Sequence, residues 1–131
     1  MATDLTGISH ISLSCRDLEA SATWYTEVLG FSLVGDLDGA GYRRRLFAHP
    51  SGVVLGLQQH EANDETSFGP ACTGLDHLAF SVEDRTDLDD WARRFDELGV
   101  TYTPPAETPW GQVLCFRDPD DIQLELFWFT R

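Results

Sequence analysis

The chain runs through the same hydrophobic rhythm twice. In the first pass, Ile11, Leu13 and Cys15 alternate with His10, Ser12 and Ser14. A period of two predicts a strand with one buried face and one face of small polar groups. Leu18, Ala22, Tyr25 and Leu29 then recur at helical spacing. Asp17 is placed to cap that helix, and Gly30 to end it. Three strand-like runs follow, over residues 31–34, 42–48 and 53–59. Turn-rich stretches at 35–39 and 49–52 separate them.

Residues 61–73 lose the rhythm and read as a linker. The second pass opens at Gly74. Leu78, Phe80 and Val82 alternate with His77, Ala79 and Ser81. Thr86 is placed to cap the next helix, with Asp87, Asp89 and Asp90 in its first turn. Leu88, Trp91, Phe95 and Leu98 line its apolar face, and Gly99 closes it. Strand-like runs at 101–102, 112–116 and 122–129 complete the pass, with a turn at 118–121 before the last.

The two passes are copies. Gly7, His10, Ser14 and Asp17 meet Gly74, His77, Ser81 and Asp84 at one offset. Gly30, Phe47, Pro50, Leu55 and Leu57 meet Gly99, Phe116, Pro119, Leu124 and Leu126 at an offset two residues longer. An internal duplication of a βαβββ module, 7–60 and 74–130, follows within a single domain spanning 1–131.

Composition narrows the function. The 131 residues suit one domain with a proper core. A net charge of −13 argues against nucleic acid and anionic membranes as partners. The sequence has neither a leader-like start nor a long apolar run, so the expectation is a soluble cytoplasmic protein. Cys15, Cys72 and Cys115 form no disulfide framework or Cys-x-x-Cys motif and read as small core residues.

Candidate chemistry sits on the strand faces away from the helices. In the last strand, Ile122, Leu124, Leu126 and Trp128 form the helix-packed side, which leaves Gln123, Glu125, Phe127 and Phe129 opposite. A lone carboxylate there costs several kcal/mol unless paired, metal-bound or protonated. Arg44 and Arg117 are possible partners for it. The alternative is that His10, His77 and Glu125 converge as a two-histidine, one-carboxylate triad on a divalent ion, with Glu125 also the candidate catalytic carboxylate. Such an ion could polarise a carbonyl, bind two neighbouring oxygens or activate water. Each histidine alone reads equally as a hydrogen-bonded structural residue. Candidate substrate contacts are Tyr42, Arg44, Gln58, His60, Trp110 and Phe127. The run 42–45 alternates faces, so an arginine should point to the cavity side; the competing reading is a solvated strand edge.

These residues together resemble a known family. Ser9-His10-Ile11, the helix 24–31, Asp76-His77-Leu78-Ala79-Phe80 and the ending from Phe116-Arg117-Asp118-Pro119-Asp120 to Leu124-Glu125-Leu126 are similar to the vicinal oxygen chelate superfamily. That superfamily includes glyoxalase I, bleomycin-resistance proteins, fosfomycin-resistance transferases, methylmalonyl-CoA epimerase and extradiol dioxygenases. The resemblance implies an α+β fold: two tandem βαβββ modules in a glyoxalase-like curved mixed β-sheet with flanking helices. It implies metal ligands on the first and fourth strand of each module. His10, His77 and Glu125 occupy three of those positions, and Gly56 stands where glyoxalase I has a glutamate. It also implies a homodimer, with His10 from one chain sharing a site with His77 and Glu125 of the other. The function implied is a metal-dependent enzyme (Fe2+, Mn2+, Zn2+ or Ni2+) acting on a small organic substrate with vicinal oxygens. The alternative is a drug-sequestering protein without catalysis.

Overall fold

The computed structural model describes residues 3–130. The chain forms two compact units, divided between Thr66 and Ser67. Each has the order strand, helix, strand, strand, strand. The first contains β1 (Ile11–Ser14), α1 (Leu18–Leu29), β2 (Ser32–Gly39), β3 (Tyr42–Ala48) and β4 (Val54–His60). The second contains β5 (Leu78–Ser81), α2 (Arg85–Leu98), β6 (Tyr102–Thr108), β7 (Gly111–Arg117) and β8 (Gln123–Phe129). The strands hydrogen-bond as two four-stranded mixed sheets, ordered β1-β4-β3-β2 and β5-β8-β7-β6. The duplication in the sequence is thus a duplication of topology.

In the first unit, Leu13, Leu55, Leu57 and Phe47 meet Leu18, Ala22, Tyr25 and Leu29 of α1 in a buried core. In the second, Leu114, Phe116, Leu124 and Leu126 pack with Leu88 and Phe95 of α2. The Phe95 and Phe116 ring centroids are 4.7 Å apart. Each such side chain contributes about 1.5–3 kcal/mol by leaving water. The exposed Glu19–Arg45 ion pair that ties α1 to β3 is screened by solvent and contributes far less. Apolar burial therefore sets the fold. Leu98, expected on the packed face of α2, is instead 46% exposed.

The caps explain the helix boundaries. Ala20 N–H donates to Asp17 Oδ1 at 3.1 Å, and Gly30 ends α1 at φ 81°. α2 is capped by Asp84 rather than Thr86, and the Asp87 carboxylate accepts from the Asp84 N–H at 2.9 Å. This bond satisfies a backbone donor at the entrance to the helix.

Two strands are longer than the sequence pattern predicts. β2 continues through Gly35-Asp36-Leu37-Asp38-Gly39, because Asp36 and Asp38 stand opposite Arg45 and Arg43 of β3. Asp36 Oδ1 lies 3.2 Å from Arg45 Nε, so cross-strand charge overrides local turn preference. β6 continues through Pro104 and Pro105, where the register shifts between Thr103 and Ala106. It is an edge strand, and there a proline leaves no ladder bond unmade.

Candidate functional site

In the second unit, β5 pairs in parallel with β8, and Ala79 stands beside Glu125. His77 immediately precedes β5. This register brings His77 Nε2 to 3.5 Å from Glu125 Oε2. The His77 side chain is 41% exposed and that of Glu125 13%. A largely buried carboxylate thus faces a ring open to solvent. The other Glu125 oxygen is taken up by its neighbours: Gln123 Nε2 donates to Oε1 at 3.0 Å, and the Cys115 thiol lies 3.8 Å from the same atom. Oε2 is the oxygen turned toward the histidine. Burial, the adjacent Glu125 charge and the bond to it push the Cys115 thiol pKa up, so it stays a protonated donor.

The far side of the His77 ring is also held. Nδ1 lies 2.7 Å from Asp76 Oδ1. The Asp76 bond, opposed by partial burial and reinforced by the Glu125 charge, raises the His77 pKa.

In the first unit, His10 immediately precedes β1, and its Nδ1 lies 3.0 Å from Ser9 Oγ. Gly56 pairs with Ser12 on one side and Leu46 on the other. A Cβ built on Gly56 would lie 2.4 Å from Ser12 Oγ, so a side chain at position 56 would require the serine hydroxyl to rotate away. Tyr42 stands opposite His60, and Arg44 opposite Gln58. Arg44 Nε donates to Gln58 Oε1 at 2.9 Å, and its guanidinium lies 5.2 Å from the Tyr42 ring centroid. The Tyr42 and His60 rings are 6.0 Å apart. Four of the six expected substrate contacts therefore form one polar and aromatic cluster across β3 and β4. β3 is an inner strand, so the solvated-edge reading of 42–45 does not hold. Arg43 and Arg45 both reach Glu19 of α1, which leaves Arg44 on the opposite face.

The remaining two contacts, Phe127 and Trp110, lie in the second unit. The Phe127 and Phe129 ring centroids are 4.5 Å apart with the rings tilted, and Trp110 is 68% exposed. Neither arginine proposed for Glu125 bonds it. Arg44 goes to Gln58, and Arg117 Nη1 donates to the Asp121 carbonyl at 3.0 Å. Of the cysteines only Cys15 is a core residue; Cys72 is exposed, and Cys115 faces Glu125. The sequence pattern puts Gln123 on the Glu125 face but gives no sign of Cys115 there. Gln123 was legible from the two-residue period. Cys115 required the β7–β8 register, which sets it opposite Glu125.

His77 and Glu125 offer one imidazole nitrogen and one carboxylate oxygen, a donor pair suited to a divalent transition metal. Their 3.5 Å separation is one that two ligands of the same ion can keep, with bonds of about 2.1 Å each. Among the described residues, no group of three or more His, Cys, Asp or Glu side chains could hold a metal ion. Nor, among them, is any helix long and apolar enough to cross a membrane.

Residues 7–126 match the Glyoxalase/Bleomycin resistance protein/Dioxygenase superfamily, and the chain belongs to it. A glyoxylase/bleomycin resistance protein/dioxygenase domain from Frankia sp. EAN1pec superposes with a TM-score of 0.91 at 38% identity, covering 97% of this chain and 100% of that one. The uncharacterized protein YwkD of Bacillus subtilis strain 168 is 30% identical, covering 94% of this chain and 97% of its own. TnmS3, an antibiotic binding protein from Streptomyces sp. CB03234, superposes with a TM-score of 0.72 at 25% identity, covering 99% of both chains.

Proposed function

We propose that the protein is a metal-dependent enzyme of this superfamily, acting on a small organic substrate with two neighbouring oxygens. The observation that carries the reading is the approach of His77 Nε2 to Glu125 Oε2 on the strand face away from the helix. His77 and Glu125 of one chain, with His10 of a second copy, would hold the ion in a homodimer. A divalent ion so bound supplies Lewis acidity toward adjacent substrate oxygens. Gln123 and Cys115 hold Glu125 by one oxygen and keep the other available. Within the first unit, Arg44, held by Gln58 and packed near Tyr42, is a cation suited to an anionic or strongly polar group.

The test is metal content after reconstitution with Fe2+, Mn2+, Zn2+ and Ni2+ in turn, for wild type, His77→Ala and Glu125→Ala. Stoichiometric metal in wild type and its loss in both variants is expected. Equal retention in wild type and variants, or no binding in any preparation, would overturn the reading.

A second reading is sequestration of a flat drug without catalysis. The Phe127–Phe129 aromatic pair, the half-exposed Phe129 and the likeness to an antibiotic binding protein favour it. Drug binding that is indifferent to a chelator and to His77→Ala, but lost in Phe127→Ala, would select it.

A further inference from the structure

The duplication places an oxygen-bearing side chain immediately before each histidine, Ser9 before His10 and Asp76 before His77. In both copies that oxygen meets the Nδ1 of the following ring, at 3.0 Å from Ser9 and 2.7 Å from Asp76. The two oxygens differ chemically. A serine hydroxyl both donates and accepts, so Ser9 accommodates either ring tautomer. An ionised carboxylate only accepts, so Asp76 requires the hydrogen to sit on His77 Nδ1. The choice of tautomer leaves the Nε2 lone pair as the free donor, and it is Nε2 that faces Glu125 Oε2. A neutral ring held this way sets a lone pair against a carboxylate oxygen. A cation between the two removes that repulsion.

We propose that Asp76 is the positioning residue of the candidate metal site, fixing the tautomer and aim of His77 so that its Nε2 is committed to an ion shared with Glu125. This rests on the metal-enzyme reading above. The two copies have diverged in their control over the ring: the Asp76–His77 pair dictates, and the Ser9–His10 pair permits. Asp76 is well exposed, at 72% for its side chain, so replacing it leaves the core intact.

Two measurements on the full chain test this. The first uses metal-free protein at alkaline pH, where the ring is neutral, and reads the tautomer from long-range proton–nitrogen NMR correlations of the imidazoles. Wild type should show hydrogen on His77 Nδ1. Asp76→Asn, whose amide oxygen still accepts, should retain most of that form, and Asp76→Ala should shift toward hydrogen on Nε2. The second is the affinity for Zn2+ and Mn2+. Loss of a hydrogen-bond partner behind a ligating histidine typically weakens binding about 10- to 100-fold. The solvent exposure of Asp76 puts the expected loss in Asp76→Ala near tenfold, with partial rescue in Asp76→Asn. A wild-type ring carrying hydrogen on Nε2, or a tautomer and affinity unmoved in Asp76→Ala, would overturn the positioning role while leaving His77 and Glu125 as ligands. An intact Nδ1–H tautomer with no metal bound by wild type would overturn the metal reading, and the role assigned to Asp76 with it.

Discussion

Ser12 Oγ fills the position that a side chain on Gly56 would occupy, 2.4 Å from the Cβ such a residue would carry. In the second copy the matched pair is Ala79 beside Glu125. Alanine on the first strand thus accompanies glutamate on the fourth in one copy, and serine accompanies glycine in the other. Positions 12 and 56 compete for the same volume. Gly56→Glu alone should destabilise the chain by forcing Ser12 to move and burying a carboxylate. Adding Ser12→Ala should recover about 1 kcal/mol of that loss, a non-additive effect readable in a double-mutant denaturation cycle. Strict additivity would show that Ser12 is not what excludes a side chain from position 56.

Asp76, and then the Glu125 charge, favour the protonated form of His77 in the fold, against the opposing effect of partial burial. The folded pKa therefore lies above the ordinary value of about 6.5. In metal-free protein the protonated ring contributes stability that is fully present below about 6.5 and is lost as pH rises through the folded value. The urea midpoint of wild type should exceed that of His77→Gln at about pH 5.5, and the gap should close by about pH 9. A gap that widens toward alkaline pH would contradict this sign.

Phe95 is fully buried against Trp91, Tyr102 and Phe116, whereas Trp110 is 68% exposed. Phe95→Ala should cost about 3–5 kcal/mol in denaturant unfolding, a large share of the stability of a domain this size. Trp110→Ala should stay within about 0.5 kcal/mol, so a change in ligand binding there would be separable from folding.

At the start of α2 the Asp87 carboxylate accepts from the Asp84 N–H, and Thr86 is not the cap. Asp87→Ala should lower stability by about 0.5–1 kcal/mol, because it removes both this bond and a negative charge from the positive end of the helix. Thr86→Ala should be close to neutral. Equal costs in thermal unfolding would return the cap to Thr86.

Much of the architecture was legible in the chain itself. Periods of two and of 3.6 located β1, α1, β5, α2 and β8, and the offset between copies identified the repeated βαβββ module, whose strand order the pairing then revealed. Local cues failed where long-range partners override them. The Gly-Asp-rich run after Val34 looks like a turn until Arg43 and Arg45 stand opposite its aspartates. The prolines of β6 look prohibitive until that strand proves to be an edge.

The sequence by itself determined that there are two matched modules, each with a histidine on the polar side of its first strand pattern, and that Glu125 has only Gly56 as its counterpart. Only the tertiary structure decided what those residues touch. Strand register, set by pairing between segments distant in sequence, placed Cys115 and Ala79 beside Glu125 and Ser12 beside Gly56. Side-chain hydrogen bonding, which no periodicity encodes, gave Nδ1 of each histidine to its own neighbour and turned Nε2 of His77 toward Glu125.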